Sequence, residues 1–151
     1  MVTRSRAAVW LTEHRRLGLD TNLLIYFLED HPRYSPWCAS LFERIERGQT
    51  EVVTSTVSLL EILVQPYRLQ NEELVQKTFA LLTTYTGLTW APVTIEVADR
   101  AAELRARYRL STPDAIQVAT TIVHGATAFI GNDKALKRIK EIECVILDEL
   151  L

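Results

Sequence analysis

RLGLDTNLLIYFL, residues 16–28, passes from a strand to a helix through a single acid. Residues 16–19 form a short apolar strand, and from Thr21 onward Leu24, Ile25 and Leu28 recur at helical spacing. Asp20 stands at the joint. The same alternation continues along the chain. After a loop at 30–36, residues 37–47 are amphipathic and stop at Gly48. Residues 51–54 are a β-branched strand, and Ser55 or Thr56 caps a helix carrying Val57, Leu60, Leu63 and Val64, which Pro66 is expected to close. Asn71 opens the next helix, residues 88–91 make a strand ending at Pro92, and Ile95, Ala98, Ala102 and Leu104 mark another helix. Thr112-Pro113 signals a further helix start, because proline is pre-organised for the first helical position. A strand at 127–130, a helix from Asp133 and a last strand at 144–147 complete the series. Strands alternating with helices predict an α/β fold in three layers, with a central parallel sheet of about four to five strands.

The chain has 151 residues, enough for one domain with a substantial core, and 48% hydrophobic with 24% charged residues is ordinary for a folded protein. Residues 1–14 are expected to be an N-terminal extension outside the core and 15–151 the domain itself. The formal net charge of −2 provides no bulk attraction for nucleic acid. Cys38 and Cys144 lack ligand-like spacing, so neither a zinc site nor a disulfide framework is indicated. No segment has the length of a signal-peptide core or a membrane span, and a cytoplasmic location is expected.

The chemistry lies in where the acids fall. Asp20 follows the first strand, and Asp133 follows the strand at 127–130 across a Gly131-Asn132 turn. Glu61 lies in the helix after the strand at 51–54, and Asp114 in the first turn after Thr112-Pro113. The carboxyl ends of parallel strands share one edge of an open sheet, where ligands bind. Topology sends Asp20, Glu61 and Asp133 there; Asp114 follows a helix, and its membership is an assumption at this point. Each acid also has a local explanation. Asp20 could cap a helix, Ser58 with Glu61 has capping-box spacing, and Asp114 and Asp133 suit the positive end of a helix dipole. Should the four converge, two unit charges ~4 Å apart repel by ~4 kcal/mol at a surface-like dielectric, so the cluster must take up protons or a cation. Oxygen-only ligands favour Mg2+ or Mn2+, whose natural use in such a site is phosphodiester hydrolysis.

Four pieces in order then resemble the PIN domain family: Leu19-Asp20-Thr21-Asn22, Thr54-Ser55-Thr56 leading to Glu61, Ser111-Thr112-Pro113-Asp114 with the following Ala-Ile-Gln-Val-Ala, and Ile130-Gly131-Asn132-Asp133. The resemblance runs from about residue 16 to the C-terminus. It implies single-strand endoribonuclease activity dependent on Mg2+ or Mn2+, with Asp20, Glu61, Asp114 and Asp133 as catalytic and metal-binding residues. It further implies supporting roles for Asn22, Ser55, Thr112 and Asn132. Gly131 departs from the pattern, since many relatives carry Thr there and its hydroxyl is missing here. A compact chain of this size looks most like the toxin nucleases of VapC-type toxin–antitoxin pairs, which implies a homodimer and an antitoxin partner.

Other residues have plainer explanations. Arg100, Arg105, Arg107, Arg109, Lys134, Lys137, Arg138 and Lys140 suit a solvated face better than a phosphate track. His14, His31 and His124 share no spacing, and His124 before Gly125 suits a helix C-terminus. Tyr26, Phe27, Tyr34 and Trp37 suit core packing or a partner interface better than base stacking. The alternative function is a non-catalytic PIN-like scaffold that binds RNA or protein. A phosphatase of the haloacid dehalogenase type needs a second Asp two residues after the first, where Asn22 stands. A dinucleotide-binding enzyme needs a Gly-rich turn where Asp20-Thr21-Asn22 stands.

Overall fold

The structure, a computed structural model, describes residues 5–151; residues 1–4, at the start of the expected extension, lie outside the described residues. Five strands, β1 (Arg16–Leu19), β2 (Glu51–Ser55), β3 (Leu88–Ala91), β4 (Ala128–Gly131) and β5 (Glu143–Ile146), pair in the order β3-β2-β1-β4-β5. All four pairings are parallel. The chain thus builds outward from β1 to one side, then returns to its other side at β4. The strand order reverses between β1 and β4, the crevice in which open α/β sheets hold ligands.

Side-chain alternation shows why the sheet is covered on both faces. On β4, Ala128 and Ile130 enter one core cluster and Phe129 enters the other. The first cluster takes Leu17, Leu19 and Val52 from the sheet and packs them against α2 (Thr21–Leu28), α3 (Ser35–Glu46) and the C-terminal α8 (Leu147–Leu150). The second joins Phe129 and Ile146 to α6 (Ile95–Tyr108) and α7 (Thr112–Val123). The three-layer expectation is met, with five strands.

Three local expectations are corrected. Within the segment 1–14, expected outside the core, residues 6–12 form α1 (Arg6–Thr12) and place Ala7, Trp10 and Leu11 in the first cluster. Pro66 does not close its helix: α4 (Thr56–Arg68) continues past it, with Pro66 in the last turn and Leu69 N–H donating to the Gln65 carbonyl. A proline so near the end removes one ladder bond that the terminus can spare. Asp133 opens a short 3-10 helix (Lys134–Arg138) rather than an α-helix. The helix expected from Asn71 is α5 (Glu72–Thr84), with the Asn71 side chain accepting from Leu74 N–H. No helix among the described residues is long and apolar enough to cross a membrane.

Candidate active site

Asp20 is the residue on which the site turns. It occupies the N-cap of α2 yet makes no side-chain capping bond, so the local explanation for this acid does not hold. It is 8% exposed. Burial, followed by the charge of Asp114 and then by those of Glu61 and Asp133, pushes its carboxyl up from 3.8 to about 6 against one opposing bond from the Thr21 N–H. The three other acids singled out in the sequence thus lie within electrostatic reach of Asp20.

Topology explains the arrival of Asp114. α7 runs through a tight turn into β4: Ala126 N–H donates to the Thr121 carbonyl and Thr127 N–H to that of Arg16, at the start of β1. The C-terminal end of α7 thus lies at the opening end of the strands, and its length carries its first turn towards their far end, at 1.5 Å per residue. Gly18 permits the close packing this requires. A Cβ there would stand 1.9 Å from Thr121 Oγ1.

A second line of contact fixes Glu61. Gln117, three residues after Asp114, donates its amide to Thr21 Oγ1 over 2.7 Å and to Glu61 Oε1 over 3.1 Å. Thr21 Oγ1 is itself 3.2 Å from Glu61 Oε1 and 2.9 Å from Ser58 Oγ. Reversing the Gln117 amide would set its carbonyl oxygen against a carboxylate, so this orientation follows from charge. Thr21, Ser58 and Gln117 were not among the expected site residues. The clues were modest: Thr21 adjoins Asp20, and Gln117 shares a helix face with Asp114 at spacing i, i+3.

The remaining expected residues divide. Asp133 does cap, its Oδ1 accepting from Ala135 N–H over 2.9 Å, so the local explanation holds for this acid. Ser58 and Glu61 form no capping box; Ser55 caps α4 instead, accepting from Val57 N–H. Asn132 donates to the Tyr26 hydroxyl and accepts from Asp148 N–H, bracing the turn before Asp133. Thr112 and Asn22 are exposed. At Gly131 a Cβ would meet Leu136 Cδ1 at 2.7 Å and Asp20 Cβ at 3.2 Å, so the space beside Asp20 is already filled from Leu136.

Among the described residues no three His, Cys, Asp or Glu side chains are already drawn together as a ligand set. Nor does any of the four acids form an ion pair with a described cation. The donor set is oxygen only, and its charge lacks a protein counter-charge. A hard divalent ion such as Mg2+ or Mn2+ fits that chemistry, and soft or imidazole-preferring metals do not.

The model of the PIN domain family matches residues 18–142. Among curated proteins none matches. Among the solved structures that share the fold are three toxin–antitoxin complexes. A chain of VapBC2 from Rickettsia felis, crystallised bound to a DNA fragment from their promoter, is 17% identical with TM-score 0.70, over 87% of this chain and 98% of that one. A chain of a toxin–antitoxin complex from Klebsiella pneumoniae is 24% identical with TM-score 0.64, over 84% and 94%. A chain of DNA-bound VapBC from Salmonella typhimurium is 16% identical with TM-score 0.62, over 87% and 97%.

Proposed function

Because this chain belongs to the PIN domain family, we propose that it is a Mg2+- or Mn2+-dependent endoribonuclease that cleaves single-stranded RNA, acting as the toxin of a toxin–antitoxin pair. The observation that carries this reading is the Asp20 carboxyl, raised first by burial and then by Asp114, Glu61 and Asp133, and left without a cationic partner among the described residues.

Asp20, Glu61, Asp114 and Asp133 would hold the ion. When bound, it supplies Lewis-acid polarisation of the phosphodiester and eases ionisation of water. The chain's own groups do the rest. Thr21 and Gln117 keep Glu61 in place, and the capping bond fixes the Asp133 carboxylate. Asp114 or Asp133 orients the attacking water, so no histidine is needed. Asn132 steadies the backbone before Asp133, Ser55 the start of α4, and Asn22 and Thr112 lie exposed at the edge where substrate would pass.

The solved neighbours are toxin–antitoxin complexes, which supports a small antitoxin protein as partner. Exposed apolar residues support a homodimer: Leu60 and Tyr67 on α4 are 62% and 65% exposed, and Ile95, at the start of α6, is 91% exposed. Light scattering of the purified chain tests the dimer.

Incubation with a mixed single-stranded RNA pool tests the activity. Cleavage should require Mn2+ or Mg2+, stop in EDTA and be lost in Asp20→Asn. Full activity in that variant would end this account of the site, in which cleavage depends on Asp20. Absence of both cleavage and metal binding would turn it to the scaffold.

A further inference from the structure

Three rings, Tyr26 near the end of α2 and His31 and Tyr34 in the segment that follows, gather at the rim of the first core cluster, against which both tyrosines pack. Tyr26 and Tyr34 lie 4.6 Å apart between centroids, His31 stacks on Tyr34 at 4.6 Å, and Tyr26 and His31 are 5.1 Å apart. Phe42 is buried in that cluster, and Phe27 and Tyr85, like the two tyrosines, pack against it from partly exposed positions. Tyr26, His31 and Tyr34 each keep part of their surface in solvent.

This cluster is tied to Asn132 by a chain of hydrogen bonds. The Tyr26 hydroxyl accepts from Asn132 Nδ2 at 3.3 Å, and Asn132 Oδ1 accepts from Asp148 N–H at 2.9 Å. Asp148 Oδ1 accepts from the Tyr34 hydroxyl at 2.8 Å and from Arg33 Nε at 2.9 Å. The His31 ring is set by its Nδ1, which accepts from the N–H groups of Arg33 and Tyr34. Asn132 immediately precedes Asp133. A partly exposed aromatic cluster is thus hydrogen-bonded, through Tyr26, to the residue beside one of the four acids.

Cations complete the picture. The Arg33 guanidinium lies 5.8 Å from the centre of the Tyr34 ring. Lys134, next in sequence after Asp133 and within electrostatic reach of Asp148, forms no ion pair among the described residues. Aromatic faces accept bases of any sequence, and neighbouring cations accept the phosphates between them. We propose that Tyr26, His31 and Tyr34 form a stacking platform that holds a base of single-stranded RNA beside the acid cluster, with Lys134 placed for an adjoining phosphate. The inference rests on the proposed RNA-cleaving function of that cluster.

The test uses the full chain carrying Asp20→Asn, so that bound RNA is not cut, at low salt. Binding is measured to a labelled single-stranded RNA of mixed sequence and to an abasic strand of equal length. Tyr34→Leu should weaken the base-bearing strand by about 5- to 100-fold, the range for one stacked base, and leave the abasic strand unchanged. Tyr34→Phe, which keeps the ring and loses only the bond to Asp148, should restore binding to the base-bearing strand. Unaltered abasic binding also shows that Tyr34→Leu remains folded. Equal binding of RNA by Tyr34→Leu and its parent overturns the platform, as does equal loss of both strands or a parent that does not prefer bases. Cleavage by the unsubstituted chain is assayed separately. Cleavage without a Tyr34→Leu effect overturns the platform alone; base-dependent binding without cleavage supports the platform and removes the nuclease reading.

Discussion

The side-chain amide of Gln117, on α7, donates to the hydroxyl of Thr21, on α2, over 2.7 Å. Its other acceptor is Glu61, on α4, so one side chain joins three helices at the acid edge. Gln117 is 3% exposed. Gln117→Leu should lower stability by about 1–3 kcal/mol, the usual cost of a buried group left without its partner. It should also reduce cleavage, because Glu61 then keeps only Thr21. Urea unfolding and initial rates measure the two effects separately.

Asp20 opposes stability in the metal-free protein. Its folded carboxyl titrates near 6, above the ordinary 3.8, so the folded state binds the proton more tightly than the unfolded chain. The stability contributed by that proton is fully present below 3.8 and is lost as pH rises through about 6. Asp20→Asn has no such titration. In EDTA near neutral pH the variant should therefore be the more stable by roughly 1–3 kcal/mol, with the gap closing in acid. Mn2+ should stabilise the parent and not the variant. Urea midpoints across pH check both signs.

Gly18 should tolerate no side chain. A Cβ at 1.9 Å from Thr121 Oγ1 must push α7 away from β1, and with it Asp114 from Asp20. Gly18→Ala should cost about 1–3 kcal/mol as an overpacked contact. Thr121→Ala in the same chain should recover only part, since a Cβ at residue 121 is still 2.7 Å away. A double-mutant cycle in urea reads the coupling.

Both thiols should be slow to react in the native state. Burial pushes Cys38 and Cys144 up to about 12, which leaves little thiolate at pH 8. Labelling by an aromatic disulfide reagent should be slow in buffer and fast in urea for both. Rapid native labelling of Cys38, which is 1% exposed, would contradict this.

Much of the fold was legible because its strands are short apolar runs punctuated by acids and caps. Asp20 and Asp133 each follow a strand, and parallel strands share an edge, so their meeting could be expected. Asp114 could not be placed that way, because its position depends on α7 running back to the start of β4. Thr21, Ser58 and Gln117 make their site contacts across three helices, and no local pattern marks such bonds. The segment at 6–12 is only seven residues long and flanked by arginines, too short to display the helical period that buries Trp10 and Leu11. Tyr26 and Tyr34 were legible as aromatics, but their grouping with His31 arises only once the loop between α2 and α3 has closed.

The most direct test of the central claim is calorimetric titration of Mn2+ into the parent chain, Asp20→Asn and Asp114→Asn at neutral pH. The account predicts saturable binding by the parent, strongly weakened in each variant, with all three chains folded. Equal Mn2+ affinity in the three, or none in the parent, would contradict the convergence of these acids on a shared ion.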